Sequence, residues 1–390
     1  MRPALDWFSP LPPTRSGIAT HYTAALEEPL RALCDIRLFG ADPRGERTPG
    51  AIPVYQMGNH AGYHGFVWRA MMEVPGVVVI HDTNLLDFFL GMTAGGPPFT
   101  ELLGRFYGKD AEWCARAYRD GCYPSARMHR RFSLLAAALN HALGVVVHSR
   151  AAFDTVRKMG HVPVMFLPLC YPAPVEVPER TRVADGQLRL VMPGLIPPNR
   201  RIESVLRAMA TFSERERLRL DLYGELWDRG FVERLIEKHK LGGQVTFHGY
   251  VGESELNQAL VNADLAVNVR YPTMGEASGT QLRLWQLGVP TLGTREGWYA
   301  EQPEQSMLWV RPSREQADLH GYFRAALAGD PAFRIAAETG RALFHAKHRV
   351  AEYARELVEF AVQVRGRGPH AMATRILQEI LPAWRCALSC

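Results

Sequence analysis

Runs of apolar residues, many of them β-branched, alternate along the chain with segments of helical pattern, and this alternation constrains the fold more than any other feature. The runs are too short for helices, and most of them end in polar residues. Strands that are apolar on both sides and separated by helices predict a parallel sheet covered on both faces. The segments that contain the candidate strands are ALDWFSPL, DIRLF, PGVVVIHD, LGVVVHS, LRLVMPGLIP, LRLDLYGE, QVTFHGY and DLAVNVR.

The length of 390 residues exceeds that of one ordinary core, and a Pro-rich stretch interrupts the strand–helix pattern once. We predict an α/β fold with Rossmann-like doubly wound domains over residues 1–172 and 188–345, joined by a linker over 173–187. Residues 346–390 are expected to form helices that partly cross back to the first domain. Two such domains facing each other form a cleft, and ligands of these sheets bind beyond the carboxyl ends of the strands.

The composition is that of a soluble globular protein, with 47% hydrophobic and 22% charged residues. The net charge of +5 suits anionic small molecules or a membrane surface and gives no specific argument for nucleic acid. The six cysteines lack CxxC spacing, so we expect reduced thiols rather than a zinc site. No segment reads as a signal peptide or a membrane span, so we expect a cytoplasmic protein, with peripheral contact at the inner face of the membrane as an option.

The segment NVRYPTMGEASGTQLRLWQLGVP, residues 268–290, predicts a strand end, a polar Gly-rich loop and a helix from about Gly279 to Leu287. Backbone N–H groups at such a helix start attract phosphate. A carboxylate repels phosphate but accepts hydrogen bonds from hydroxyl groups, which is the chemistry that suits Glu276. A diphosphate joined to a polyol describes a sugar nucleotide. The alternative is a helix that is merely well capped, since Ser278 and Gln281 form a capping box.

Polar residues also follow strands of the N-terminal half. His81 and Asp82 follow one strand and His148 follows another, and an imidazole there suits a sugar hydroxyl or, if protonated, a phosphate. The segment GNHAGYHGF predicts a flexible polar loop with room for a substrate. The alternative for each position is helix capping, a plain turn or packing.

Two arginines, Arg200 and Arg201, lie between a strand and a helix of the C-terminal half, where the guanidinium fork matches phosphate oxygens. Arg270 ends a buried strand, so we expect an anionic partner for it, either Glu276 or a diphosphate. No D-x-D pair follows these strands, so a metal bridging the diphosphate is not indicated.

At this point almost the whole chain resembles the GT-B glycosyltransferases of the large retaining group often called family 4. The resemblance lies in SPLPPTRSGIA, GVVVIHD, GVVVHS and PGLIPPNRR, and most specifically in RYPTMGEASG through GWYAEQP. It implies the GT-B fold and transfer of a sugar from a nucleoside diphosphate sugar, a UDP- or GDP-sugar, to a hydroxyl acceptor. It also implies retention at the anomeric carbon without a required metal or other cofactor.

The resemblance also implies roles for single residues. Glu276 would hold the hydroxyl groups of the donor sugar, His81 would lie near that sugar, and Arg200 would replace a phosphate-binding lysine. The strand end 247–250 would border the nucleobase. The remaining residues expected to bind donor are Gly17, Gly194, Arg201, Tyr250, Arg270, Ser278, Gly279 and Thr280, and those expected to bind acceptor are Ser16, Asn59, His64, Asp82 and His148.

Two positions depart from the family pattern. Leu195 stands where an arginine is common, and Leu284 stands where a second glutamate usually holds the ribose. Alternative functions for a protein of this fold are those of a phosphorylase, an epimerase or a non-catalytic protein that binds sugar nucleotides.

The acceptor class is a glycan, a lipid-linked saccharide or a small metabolite. An apolar stripe at the C-terminus either packs against the body or meets a membrane surface, as a lipid-linked acceptor requires. The stripe comprises Ile376, Leu377, Ile380, Leu381, Trp384 and Leu388.

Overall fold

The computed structural model describes residues 2–41, 47–160, 162–172, 176–182 and 185–366. The chain divides into two compact units. The first contains Met1–Pro172, Met274–Ala277 and Arg349–Cys390, and the second contains Ala173–Thr273 and Ser278–His348.

The first unit is built on a six-stranded sheet in which the strand pairs are parallel. Its central strands bury nearly every side chain, as the valine-rich runs predict. The strand order is β2-β1-β3-β4-β5-β6. The strands are β1 (Ala4–Phe8), β2 (Asp35–Phe39), β3 (Ile52–Met57), β4 (Gly76–Ile80), β5 (Ala142–Val147) and β6 (Val164–Phe166).

The helices of the first unit connect these strands. The segment between β4 and β5 is mostly helical, because Phe99, Leu103 and Met128 supply apolar contacts to the core. A π-helical turn (Ile18–Thr23) precedes α1 (Ala24–Leu33). The others are α2 (Ala61–Glu73), α3 (Leu86–Met92), α4 (Pro97–Tyr107), α5 (Lys109–Arg119), α6 (Ser125–Arg131), α7 (Leu135–Leu139) and α8 (Arg150–Met159).

The second unit has its own six-stranded sheet, again with parallel pairs, in the order β12-β11-β10-β7-β8-β9. The strands are β7 (Leu188–Pro193), β8 (Leu218–Tyr223), β9 (Val245–Gly249), β10 (Leu265–Asn268), β11 (Thr291–Thr294) and β12 (Leu308–Val310). The helices are α9 (Ile202–Thr211), α10 (Arg229–Lys238), α11 (Glu253–Asn262), α12 (Gly279–Gln286), α13 (Glu315–Leu327) and α14 (Ala332–Lys347). Short 3-10 turns cover Pro198–Arg200, Arg215–Arg217, Gly297–Glu301 and Glu304–Ser306.

A last helix, α15 over residues 350–366, groups with the first unit. It lies against β5 at Gly144, where an added Cβ would stand 2.7 Å from Val364 and 3.0 Å from the Phe360 ring. Only glycine permits this approach of helix to strand.

The thiols of Cys34, Cys114 and Cys170 are buried, and that of Cys122 is exposed. Within the described part of the chain, no helix is long and apolar enough to cross a membrane. The apolar stripe expected to pack or to meet a membrane, with the flanking Arg375 and Arg385, lies outside the described residues, as do Cys386 and Cys390.

Candidate active site

The carboxyl edge of the first sheet carries the polar residues predicted from its strand ends. Strands β1, β3, β4 and β5 are neighbours, so the loops that follow them meet at one edge. His81 follows β4, His148 follows β5, and their ring centroids are 5.1 Å apart. The fold therefore brings together residues that are 67 positions apart in the sequence.

A buried glutamine holds His81. The ring Nε2 lies 2.9 Å from Oε1 of Gln56, a side chain on β3 with no exposed surface. Burial lowers the pKa of His81 well below its usual 6.5, and the nearby His148 and His64 lower it further. The imidazole is therefore neutral at neutral pH, which favours hydrogen bonding to a hydroxyl group over attraction of a phosphate as a cation.

Two tyrosines pack around this histidine pair. The Tyr22 ring meets the His81 ring edge-on at 4.8 Å, and its hydroxyl lies 2.7 Å from that of Tyr353 on α15. Burial raises the pKa of both tyrosines, so both hydroxyls are protonated. Nδ1 of His148 donates to the Leu167 carbonyl at 3.0 Å, because a carbonyl only accepts. Helix α15 thus helps to enclose the histidine pair of its own unit.

Asn59 and Asp82 order the loop after β3. Oδ2 of Asp82 accepts the backbone N–H of Asn59 at 2.8 Å, and the Asn59 side chain donates to Asp87 and accepts from Phe88 N–H. Gly58 must stay small, because an added Cβ would lie 2.8 Å from Nε2 of His64 and 3.0 Å from Oδ2 of Asp82. These side chains hold the loop, and their assignment to an acceptor stays a prediction.

The prediction of a flexible loop around His64 is wrong. His64 lies inside α2, is buried, and donates from Nδ1 to the backbone carbonyl of Gln56 at 2.8 Å. Burial lowers the pKa of His64 to about 4. The apolar residues Phe66, Val67 and Met71 drive this segment into the core as a helix, which the many small and polar residues around Gly58 disguised.

Ser16 and Gly17, expected to bind acceptor and donor, lie in the loop after β1. Oγ of Ser16 accepts the N–H of Ile18, the first residue of the π-helical turn, at 3.3 Å. Gly17 has an ordinary helical φ of −57°, and an added Cβ there would meet nothing within 4 Å. Space is therefore open at Gly17, and its contact with a diphosphate stays a prediction.

In the second unit, α12 begins where the sequence predicted it, at Gly279. The Ser278 side chain accepts the N–H of Gln281 at 3.1 Å, so the capping interaction exists. Thr280 lies beside the loop after β7, since a Cβ added to Gly194 would stand 3.2 Å from its Oγ1. The first turn of α12 carries no acidic residue, so its N–H groups suit an anion.

A buried polar network fixes the start of α12. The Asn268 amide, at the end of β10, lies 2.9 Å from Oε1 of Gln281, 3.2 Å from the Tyr299 hydroxyl and 3.4 Å from Oγ of Ser278. All four residues are buried. Buried polar groups of this kind hold one geometry, because each lost hydrogen bond leaves a desolvated atom.

Glu276 folds back onto its own loop. Its Oε2 accepts the backbone N–H of Met274 at 2.8 Å, and the residue is 8% exposed. The segment Met274–Ala277 belongs to the first unit, where the Asn84 N–H donates to the Met274 carbonyl. A carboxylate held in this way is positioned before any ligand arrives.

Arg200 lies in the interior with no exposed surface. Its guanidinium donates to the backbone carbonyls of Pro193, Leu195 and Val267 at 3.2–3.4 Å. Arg200 therefore joins the ends of β7 and β10, and its assignment to a donor phosphate stays a prediction.

The other two arginines predicted to bind the donor, Arg201 and Arg270, have different surroundings from Arg200. Arg201 forms a two-point ion pair with Glu315 at 2.8 Å, and this bond, against the opposing effect of burial, raises the pKa of Arg201. Arg270 follows β10, with its backbone N–H on Oγ1 of Thr294. The described residues hold no group of three or more His, Cys, Asp or Glu side chains suited to a metal ion.

Residues 176–332 match the family model of glycosyl transferases group 1. This range contains the β7 loop, Glu276 and the start of α12. These residues form a domain of the group 1 glycosyltransferase family. No curated protein sequence matches the chain significantly.

Solved structures match the fold of this chain along nearly its full length. Sucrose-phosphate synthase from Thermosynechococcus elongatus matches with a TM-score of 0.63 at 17% identity, covering 94% of this chain and 100% of that one. WaaG, a glycosyltransferase involved in lipopolysaccharide biosynthesis, matches with 0.63 at 15%, covering 92% and 99%. HepE from Anabaena, in complex with UDP, matches with 0.56 at 12%, covering 93% and 100%. The fold is GT-B.

One departure from the family pattern acquires a physical explanation. Leu284 is fully buried in an apolar cluster with Val191 and Leu260, so its side chain packs against the sheet. Tyr250 follows β9 and is 60% exposed.

Several positioning residues escaped sequence reasoning. For Gln56 and Asn268, the sequence did offer a signal, because each is a polar residue within a mostly apolar strand. Nothing local marked the others, which are Tyr22, Tyr299, Glu315 and Tyr353.

Proposed function

We propose that this protein is a glycosyltransferase that moves a sugar from a nucleoside diphosphate sugar to a hydroxyl group of an acceptor and retains the anomeric configuration, as enzymes of family 4 do. The observation that carries the proposal is the start of α12. Its N–H groups lie beside the loop after β7, in a segment that matches the group 1 family.

The proposed roles follow the chemistry of each group. The N–H groups of Ser278, Gly279 and Thr280 bind the diphosphate, and Glu276 accepts hydrogen bonds from the sugar hydroxyls. His81, neutral and held by Gln56, hydrogen-bonds the transferred sugar. Arg201 and Arg270 are the cations proposed for the diphosphate, whereas the contacts of Arg200 favour support of the β7 loop.

The proposed reaction requires no protein base. The acceptor oxygen forms a bond to the anomeric carbon while the bond from that carbon to the diphosphate oxygen breaks. The departing diphosphate oxygen takes the proton of the acceptor hydroxyl. The protein supplies positioning and stabilises the charge that develops on the leaving group.

The donor is proposed to be a UDP- or GDP-sugar, used without a metal or other cofactor. The solved complexes of HepE with UDP and with UDP-glucose support a uridine nucleotide. The acceptor is proposed to be a glycan, a lipid-linked saccharide or a small metabolite. The proposed setting is the cytoplasm, with peripheral contact at the inner face of the membrane for a lipid-linked acceptor.

A donor panel tests the proposal. Purified protein is mixed with UDP- and GDP-sugars, with and without EDTA, and thermal stabilisation and slow donor hydrolysis are measured. We expect one nucleotide series to raise the melting temperature and to be hydrolysed in EDTA, releasing the sugar first as the donor's own anomer by NMR. Absence of binding and hydrolysis across the panel contradicts sugar transfer, and release of the opposite anomer contradicts retention.

A further inference from the structure

Large apolar side chains stand exposed at the carboxyl edge of the second sheet. Leu195 in the loop after β7 is 57% exposed, and Trp227 in the loop after β8 is 65% exposed. Tyr250, in the next loop along the same edge, is 60% exposed. Exposed apolar groups concentrated at a ligand-binding edge mark a contact surface.

Leu195 and Trp227 project to the same side. Their loops continue the parallel pairing beyond the strands, because Ile196 pairs with Leu226. The Ile196 N–H donates to the Glu225 carbonyl at 2.9 Å, and the Trp227 N–H donates to the Ile196 carbonyl at 3.2 Å. Ile196 and Leu226 point into the core, so the residues that flank this pair point away from it.

This side is also the side of α12. Ile196 belongs to the apolar core on the face of the second sheet that α9, α10 and α13 cover. Leu284 of α12 packs with Val191 on the opposite face of this sheet. Leu195 directly follows Gly194, the residue that adjoins Oγ1 of Thr280. The apolar pair therefore begins next to the N–H groups proposed for the diphosphate.

We propose that Trp227, together with Leu195, is the stacking platform for the nucleobase of the donor. The inference rests on the proposed function, since it extends the diphosphate site to the nucleoside. An indole binds any planar base through its π-face, and a purine covers more of it than a pyrimidine. The exposed Glu225 flanks Leu226 on the same side as Trp227, so its carboxylate is placed to accept ribose hydroxyls.

Isothermal titration with UDP, GDP and inorganic pyrophosphate tests the platform. Trp227→Ala should weaken binding of the nucleotide that the wild type accepts, UDP or GDP, about tenfold or more and leave pyrophosphate binding unchanged. Trp227→Phe should restore much of the affinity, because a smaller aromatic face remains. Trp113→Ala is the matched control, since Trp113 is 63% exposed but lies on α5 of the first unit.

The outcomes separate the platform from the proposed function. If wild-type protein transfers sugar and Trp227→Ala binds UDP and GDP as wild type does, the platform is wrong and the function stands. An equal loss for pyrophosphate also rejects the platform, because the variant has then disturbed the diphosphate site. If the wild type binds no nucleotide and transfers no sugar, the proposed function fails and the platform with it.

Discussion

At the scale of single residues, two charged side chains that were both predicted to contact the donor lie in different environments. Arg200 is fully buried on backbone carbonyls, and Glu276 is nearly buried on a backbone N–H of its own loop. Both were expected to touch the donor from their positions after strands. The contacts favour a supporting role for Arg200 and leave the sugar contact proposed for Glu276 open to a direct test.

Replacing Glu276 by glutamine should lower kcat about a hundredfold, because an amide binds sugar hydroxyls without the carboxylate charge. The melting temperature should stay within a few degrees, since the amide oxygen still accepts the Met274 N–H. Glu296→Gln is the matched control. Glu296 accepts the backbone N–H of Thr273, which lies in the same loop as Glu276. Equal losses in both variants would show that loop geometry, and not Glu276 chemistry, sets the rate.

Replacing Arg200 by methionine should lower the free energy of unfolding by about 3 kcal/mol, because three buried carbonyls lose their donor. Arg207→Met serves as control and should cost about 1 kcal/mol or less, since its ion pair with Glu203 is exposed. Chemical denaturation measures both. A fully stable Arg200→Met protein with lost donor affinity would instead support the phosphate role.

At the scale of elements, the start of α12 is determined from two directions. Ser278 caps the helix locally, and Asn268 reaches the same turn from β10, with Tyr299 on its other side. The local cap fixes where the helix begins. The amide of Asn268 fixes where that turn lies relative to the strand ends, which is what a preorganised anion site requires.

Substituting Asn268 by leucine should raise the KM for the donor more than it lowers kcat, because the N–H groups of the turn lose their fixed position. The free energy of unfolding should fall by about 1–3 kcal/mol as buried polar atoms lose partners. Tyr299→Phe removes one hydrogen bond of the network and should have a smaller effect of the same kind. Steady-state kinetics at varied donor concentration measures the KM. A lower free energy of unfolding with an unchanged KM for the donor would reject a positioning role of Asn268.

At the scale of the whole molecule, helix α15 belongs to the same unit as β1–β6 although it lies at the far end of the chain. The Tyr22–Tyr353 hydrogen bond joins residues 331 positions apart. The first unit also holds two histidines whose pKa is lowered by burial, His64 and His81, and such groups make stability depend on pH.

Stability should fall on acidification below about pH 6.5. The pKa of folded His64 is about 4, below its ordinary value of 6.5, so between these values the unfolded chain takes up a proton that the folded chain does not. The loss should approach about 3 kcal/mol for this group by pH 4, and His81 acts in the same direction. Chemical denaturation at several pH values should show a shallower dependence for His64→Asn, and an unchanged slope would contradict the assignment.

The sequence by itself determined the elements of this protein that depend on short-range pattern. Valine-rich runs gave the central strands, and Ser278 with Gln281 gave the start of α12 within one turn. It failed around His64, where glycines and polar residues masked an apolar helical face.

Only the tertiary structure decided what those residues touch. It set Arg200 on carbonyls from two strands, Asn268 against Tyr299, and Leu284 in an apolar cluster. It also aligned Leu195 with Trp227 through loops whose residues are about thirty positions apart. The physical reason is that propensity and periodicity act over a few residues, whereas burial, hydrogen-bond partners and pKa values arise from contacts between segments that only the folded chain brings together.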